Sequence, residues 1–198
     1  MNNATKPTIQ RLLDLQMLTS KLAQVERKVY LPPQAEAPET DVDHSFSLAM
    51  LGWFLAPQFP HLDAHKVLQL CLAHDMVEAY CGDTFSFDDE AVAAQQAREE
   101  EALVTLKKEW VDFPSLLQAL DEYETRATPE AHFVVALDRL QPVMMDYLGA
   151  GKTWRKFGIT YDKLMAVKDS DLGSSEVAEY YGQLKKMLEA DQELFPKA

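Results

Sequence analysis

No stretch of this 198-residue chain alternates apolar and polar residues over the roughly four to eight positions of a half-buried strand; its apolar residues recur at helical steps instead. Leu18, Leu22, Val25 and Val29 step by 4, 3 and 4, which predicts a helix stopping before Leu31-Pro32-Pro33, with loop to Pro38. A second helix is expected from Asp41 to Leu55, closed by Pro57 and Pro60. Asp63 is an N-cap candidate for a third, running through Tyr80. Cys81 to Phe87 reads as loop, Asp88 to Trp110 as a long charged helix, and Pro114 to Glu124 as a shorter one. Thr128-Pro129-Glu130 combines a cap, an N1 proline and an early acid, opening a helix that ends near Gly149 and Gly151. A short piece surrounds Tyr161 to Val167. Ser174-Ser175-Glu176 starts the last helix, with Val177, Tyr181, Leu184 and Leu188 on one face. The expectation is an all-α fold: one compact helical bundle over residues 1–198, with no sheet.

The formal net charge of -13 lacks the basic footprint that nucleic acid or an anionic membrane requires, so neither is expected as a partner. A small anionic substrate stays compatible, because a bound metal and a few cations reverse the field locally. Cys71 and Cys81 stand ten apart, outside any CxxC pair, which suits a reducing compartment rather than a disulfide scaffold. Met1 to Gln10 is polar and lacks an apolar signal core, and no run approaches the roughly 18 apolar residues of a spanning helix. These features predict a cytoplasmic protein.

Three places carry chemistry. "CLAHDMVEAYCGDT" (71–84) puts His74 and Glu78 at i and i+4 on one helix face, with Asp75 about 100° round. "ETDVDHSFSLAM" puts His44 at the head of a helix. "FVVALDRLQPVM" sets Asp138 in an otherwise apolar stretch, where a carboxylate is costly to bury unless paired with a cation such as Arg139 or bound to a metal. Two imidazoles and two carboxylates suit a borderline divalent ion that keeps a position open for water.

The order H…HD…D resembles the signature of the HD-domain phosphohydrolases, and more narrowly their 5′-nucleotidase-like branch. "ETDVDHS", "LAHDMVEAYCGDT", "REEEAL", "LLQALDEYE" and "ALDRLQPV" follow in that family's order over about residues 20–145. The resemblance implies one divalent metal ion (Mn, Co, Fe, Ni, Zn or Mg) on His44, His74, Asp75 and Asp138. It implies that Glu78 positions or deprotonates the water, with Asp75 part of the catalytic pair. Asp83 would contact the sugar of a nucleotide. Arg27, taken as the arginine of the first helix, would bind phosphate. Related deoxynucleotidases follow that arginine with tryptophan; here Lys28 stands instead, which opens the question of sugar selectivity. The family is commonly homodimeric and carries acids near the pocket on its charged helix, here Glu100 and Glu101. Residues 150–198 match least and are expected to cap the pocket or build a dimer.

The implied activity is hydrolysis of a phosphomonoester, a nucleoside or deoxynucleoside 5′-monophosphate, by metal-activated water. Two alternatives stand beside it. One is a phosphodiesterase or pyrophosphohydrolase acting on a signalling nucleotide, which HDxxED would favour but Glu78-Ala79 does not supply. The other is a metal- or nucleotide-binding sensor without turnover, which the complete ligand set opposes. His61, His65 and His132 read as solvated histidines near helix starts. "GAGKTW" (149–154) fails as a phosphate loop, because Asp146 stands where glycine is required.

Overall fold

The computed structural model describes residues 7–33 and 36–197; Met1 to Lys6, Gln34, Ala35 and Ala198 lie outside it, and with Gln34 and Ala35 part of the expected loop to Pro38. Helix α1 (Ile9–Leu22) starts on Thr8, whose side chain accepts from the Arg11 amide, and buries Leu18 and Leu22. The expected continuation through Val25 and Val29 is wrong. The helix closes at Ala23, and the chain extends into strand β1 (Glu26–Tyr30), antiparallel to β2 (Pro38–Thr40). Val25 and Val29 keep their apolar spacing but are β-branched, which costs little in extended backbone. The ladder around them is closed by Asp41 N–H to the Val25 carbonyl (3.1 Å) and Leu31 N–H to the Ala37 carbonyl (3.0 Å). A two-stranded ribbon therefore interrupts the all-α pattern.

Helix α2 (Asp41–Leu55) matches its expected bounds, fixed by a capping box between Thr40 and Asp43. Helix α3 (Ala64–Ala73) opens on Asp63 as expected but stops seven residues before Tyr80; a four-residue turn separates it from α4 (Glu78–Cys81). Then follow α5 (Asp89–Glu109), α6 (Pro114–Thr125) and α7 (Pro129–Leu148), each within a residue or so of expectation. The C-terminal part holds more helix than the sequence suggested. Helix α8 (Lys152–Phe157) was not foreseen, α9 (Tyr161–Leu172) outruns Val167, and α10 (Ala178–Ala190) begins after, not at, Ser174.

Helix α7 is the axle. It is buried nearly all round, as an interior helix must be, and packs against α2, α3, α6, α9 and β1. Its Pro142 lacks an N–H, so the carbonyl of Asp138, one turn earlier, has no helical partner. Helices α9 and α10 lie on α7, and Trp154 of α8 stacks on Phe195 with ring centroids 4.9 Å apart. No helix among the described residues is long and apolar enough to cross a membrane.

Candidate metal centre

Helices α2 and α3 approach closely because Gly52 has no side chain: a Cβ there would stand 2.9 Å from Val67 Cγ1 and 3.2 Å from Cys71 Sγ. That approach sets His44, one turn into α2, beside His74 at the end of α3, with ring centroids 5.3 Å apart. Helix α7 packs on both and delivers Asp138. His44 Nε2 lies 2.9 Å from Asp138 Oδ1 and 3.9 Å from Asp75 Oδ2. His74 Nε2 lies 3.1 Å from Asp75 Oδ2 and 3.7 Å from Asp138 Oδ1. Both rings are fully buried, while Asp75 and Asp138 keep 13% and 23% of their side chains exposed, so the cluster has one open side.

The surroundings select one tautomer. His44 Nδ1 is 3.0 Å from Gln141 Oε1, and His74 Nδ1 is 2.9 Å from the Cys71 carbonyl oxygen. Both partners only accept, so each Nδ1 carries a proton and, in the neutral rings, each Nε2 offers a lone pair to the shared space. Gln141 is held in turn, donating to Glu39 Oε1 at 2.8 Å. Tyr123 donates to Asp138 Oδ2 at 2.9 Å, which leaves Oδ1 to face the histidines. Such supporting bonds set ligand orientation in metal sites. His74 Nε2, although buried, has no hydrogen-bond partner: Asp75 is near but poorly aligned.

Charge tells the same story. Burial would lower the His74 pKa, but Asp75 and Asp138 override it and hold the metal-free imidazole up at about 10. Burial also opposes ionisation of Asp75 and Asp138, yet the imidazoles beside them pull both below the ordinary carboxylate range. His44, His74 and Asp75 offer ligand atoms within 4.8 Å of one another and can hold a metal ion. An imidazole nitrogen without a partner, facing carboxylates, is what a borderline divalent cation would satisfy. The cation once conceivable for Asp138, Arg139, pairs with Asp171 instead, at 2.9 Å.

Glu78 reaches the site by a route the i, i+4 reading missed. Between α3 and α4 the bonds tighten to i→i−3: Met76 N–H to Ala73, Glu78 N–H to Asp75 and Tyr80 N–H to Val77, at 3.0, 2.9 and 3.0 Å. Three residues per turn eclipse i and i+3, so Glu78 stands over Asp75 rather than over His74. Asp41, Asp75 and Glu78 then form a second acidic group within 4.8 Å. Buried Asp41 Oδ2 and Glu78 Oε2 have no donor, a state that a proton or a cation between them relieves. Burial and then Asp75 and Asp41 push the Glu78 carboxyl up to about 12; burial raises Asp41 to about 6.

Arg27 comes from β1, not from the first helix. Val25 and its neighbours leave the helical path, so the ribbon carries the guanidinium in. It meets Asp75 at 3.2 Å, Glu39 and Asp41 at 3.4 Å each, and Asp83 at 3.8 Å. Gly82, at φ +76°, turns the chain after α4 and sends Asp83 back toward it. Arg27, Lys28 and Asp83 border a cleft next to the cluster. Glu100 and Glu101 are exposed on α5, as are His61, His65 and His132 on their elements. Glu39, Asp41, Tyr123 and Gln141 were not singled out from the sequence. All four lie within the quoted motifs or directly beside them, but nothing local assigns them partners so distant in the chain.

A family model described as HD domain matches residues 19–179. The 5′-deoxynucleotidase HDDC2 of Bos taurus is 30% identical over 135 residues, covering 67% of this chain and 65% of its own length. The 5′-deoxynucleotidase hdd1 of Schizosaccharomyces pombe is 28% identical over 155 residues, 74% of this chain and 76% of that protein. The chain thus spans about two thirds of the cattle relative it matches. Among solved structures, a predicted metal-dependent phosphohydrolase from Magnetospirillum magnetotacticum MS-1 superposes with a TM-score of 0.77 at 26% identity, covering 96% of each chain. A family match of that extent, on a fold shared end to end with such a protein, makes this chain a member of the HD-domain phosphohydrolases.

Proposed function

We propose that the chain hydrolyses nucleoside 5′-monophosphates with one divalent metal ion on His44, His74, Asp75 and Asp138. The observation that carries this reading is the convergence of two imidazole Nε2 atoms and two carboxylates on one partly open point. A divalent ion there supplies Lewis acidity and lowers the pKa of water. Gln141 and the Cys71 carbonyl accept from Nδ1 of the two rings, so Nε2 is in each the nitrogen aimed inward toward the ion. Glu78 stands over Asp75 with its carboxyl held protonated by burial, Asp75 and Asp41, which supports a role in positioning the water; a cation at the cluster would favour its ionised, general-base form. Arg27 and Asp83 border the same cleft, which supports Arg27 as the phosphate contact and Asp83 as the sugar contact. The 5′-deoxynucleotidase names of the relatives support the substrate class. The apolar stripe Phe46, Met50, Trp53 and Phe54, exposed on α2, supports a homodimer, which chromatographic mass tests.

The deciding experiment measures phosphate release from ribo- and deoxyribonucleoside 5′-monophosphates, metal-stripped and then with Mn²⁺, Co²⁺, Fe²⁺, Ni²⁺, Zn²⁺ or Mg²⁺ restored. Release that returns with metal and is lost in His74→Ala supports the reading. Release of pyrophosphate instead points to a signalling nucleotide, and metal-dependent binding without turnover points to a sensor. The ribo-to-deoxy ratio reports what Lys28 does at the cleft.

A further inference from the structure

The REEEAL stretch of α5 enters none of the chemistry above, yet its arginine makes a contact that a solvated helix face does not need. The first half of α5, residues 89–101, buries no described side chain; burial begins at Ala102, and the helix packs against α4. Arg98 therefore has no part in the core. It stands beside Glu99, Glu100 and Glu101 in the chain, but among the described residues it pairs with no carboxylate. Its Nη2 reaches 14 residues back instead and donates to Thr84 Oγ1 at 2.7 Å.

Thr84 belongs to the turn that brings Asp83 to the cleft, and both residues line it next to Arg27. Backbone bonding does not hold this turn. Gly82 N–H bonds the Glu78 carbonyl at 2.8 Å, and Asp88 N–H bonds the Phe85 carbonyl at 3.0 Å. Between them, among the described residues, no amide from Asp83 to Phe87 donates to backbone. Side chains hold the turn instead. At its far end Phe85 packs on Phe157 with ring centroids 5.0 Å apart, and Lys163 Nζ donates to the Phe87 carbonyl at 3.4 Å. At its near end Arg27 lies 3.8 Å from Asp83, too long for a hydrogen bond. Among the described residues, the Arg98–Thr84 bond is thus the one hydrogen bond that ties the Asp83–Thr84 end to another element.

We propose that Arg98 is a positioning residue for substrate binding: by holding Thr84, its guanidinium fixes Asp83 at the cleft. The proposal rests on the nucleotidase reading, in which Asp83 contacts the sugar. Arg98 acts through Thr84 rather than on the reacting atoms, so its loss should weaken binding and leave the chemical step alone.

Variants of the full chain test it. Arg98→Met removes the donor and the charge. Thr84→Val removes the acceptor at nearly the same volume and leaves the charge. Arg98→Lys keeps a donor. Each is assayed on a deoxynucleoside 5′-monophosphate with the divalent ion restored, and amide hydrogen exchange of the 82–88 segment is read by mass spectrometry. Arg98→Met and Thr84→Val should each raise KM about 3- to 10-fold and leave kcat within about twofold, the scale of one exposed hydrogen bond to a charged group. The double variant should be no worse than either single one, because both remove the same bond. Arg98→Lys should recover much of the loss, and exchange of the segment should quicken by a similar factor in both single variants. A rise in KM with Arg98→Met alone would mean that the charge merely attracts an anion. Losses that multiply in the double variant would mean that the two side chains act apart. An unchanged KM, with or without a lower melting temperature, would leave at most a structural role. Each of these results overturns the proposal. If no substrate is turned over, the nucleotidase reading fails by itself and hydrogen exchange decides: faster exchange in both variants keeps Arg98 as what holds the turn, and unchanged exchange overturns it.

Discussion

Replacing Gln141 by leucine keeps the volume of a fully buried side chain and removes two hydrogen bonds at once. His44 Nδ1–H loses its acceptor at 3.0 Å, and Glu39 Oε1 loses its donor at 2.8 Å. Neither group can turn to water, because His44 and Glu39 are both 0% exposed. A buried polar group left unsatisfied costs about 1–3 kcal/mol, so the pair predicts a loss of about 2–6 kcal/mol in the metal-stripped protein. With the tautomer of His44 no longer set, metal affinity should fall about 10- to 100-fold, the usual effect of losing such a supporting partner. Urea unfolding of the stripped protein measures the first quantity, and competition with a chelator measures the second. Gln118→Leu is the control: its amide donates to Glu122 at 2.9 Å on the exposed side of α6, and the change should cost no more than about 0.5 kcal/mol. If Gln141→Leu behaved like that control in both assays, the Glu39–Gln141–His44 chain would not be what orients His44.

Three further outcomes are expected. His74→Ala should lose more metal affinity in the same competition titration than Gln141→Leu does, because it removes a proposed ligand rather than a support. Gly52→Ala should overpack the α2–α3 contact, where a Cβ meets Val67 Cγ1 at 2.9 Å, and lower stability by about 1–3 kcal/mol in thermal or urea unfolding. Burial pushes the Asp146 carboxyl from 3.8 up to about 7, so the folded state holds its proton more tightly than the unfolded state. Its favourable contribution is complete below the unfolded value and is lost as pH rises through about 7. Asp146→Asn should therefore flatten the decline in stability between roughly pH 4 and 7 and gain stability at pH 8 over the parent, read by urea unfolding at several pH values.

What could be read from the sequence was what local chemistry decides. Helix α2 was bounded correctly because Thr40 and Asp43 form a cap and prolines follow its end. Helix α7 was legible through Thr128-Pro129-Glu130. His44, His74, Asp75 and Asp138 could be named because a histidine or acid on an apolar helix demands an explanation. The misreadings all concern backbone that local pattern leaves ambiguous. Val25 and Val29 fit a helical spacing and a short strand equally well, and the decision fell to Pro38–Thr40, which supplies the ladder. The tightened turn between α3 and α4 carries no proline or glycine to announce it. Gln141, Glu39 and Tyr123 stayed unassigned because their partners are 97, 102 and 15 residues away, and only the packed helices bring them together.

The span between His44 and its partners also sets an order of assembly. Gln141 and Asp138 lie 97 and 94 residues beyond it. At the roughly 5–20 residues per second of protein synthesis, α2 and α3 exist for several seconds before α7 emerges. During that interval the two helices can meet only by burying the His44 imidazole without Gln141 or Asp138, so the pair should stay open to solvent or wait for other cover. A nascent chain arrested before Pro129 should accordingly show α2 and α3 open to proteases. The residues first to leave the ribosome at this site are thus among the last to become native.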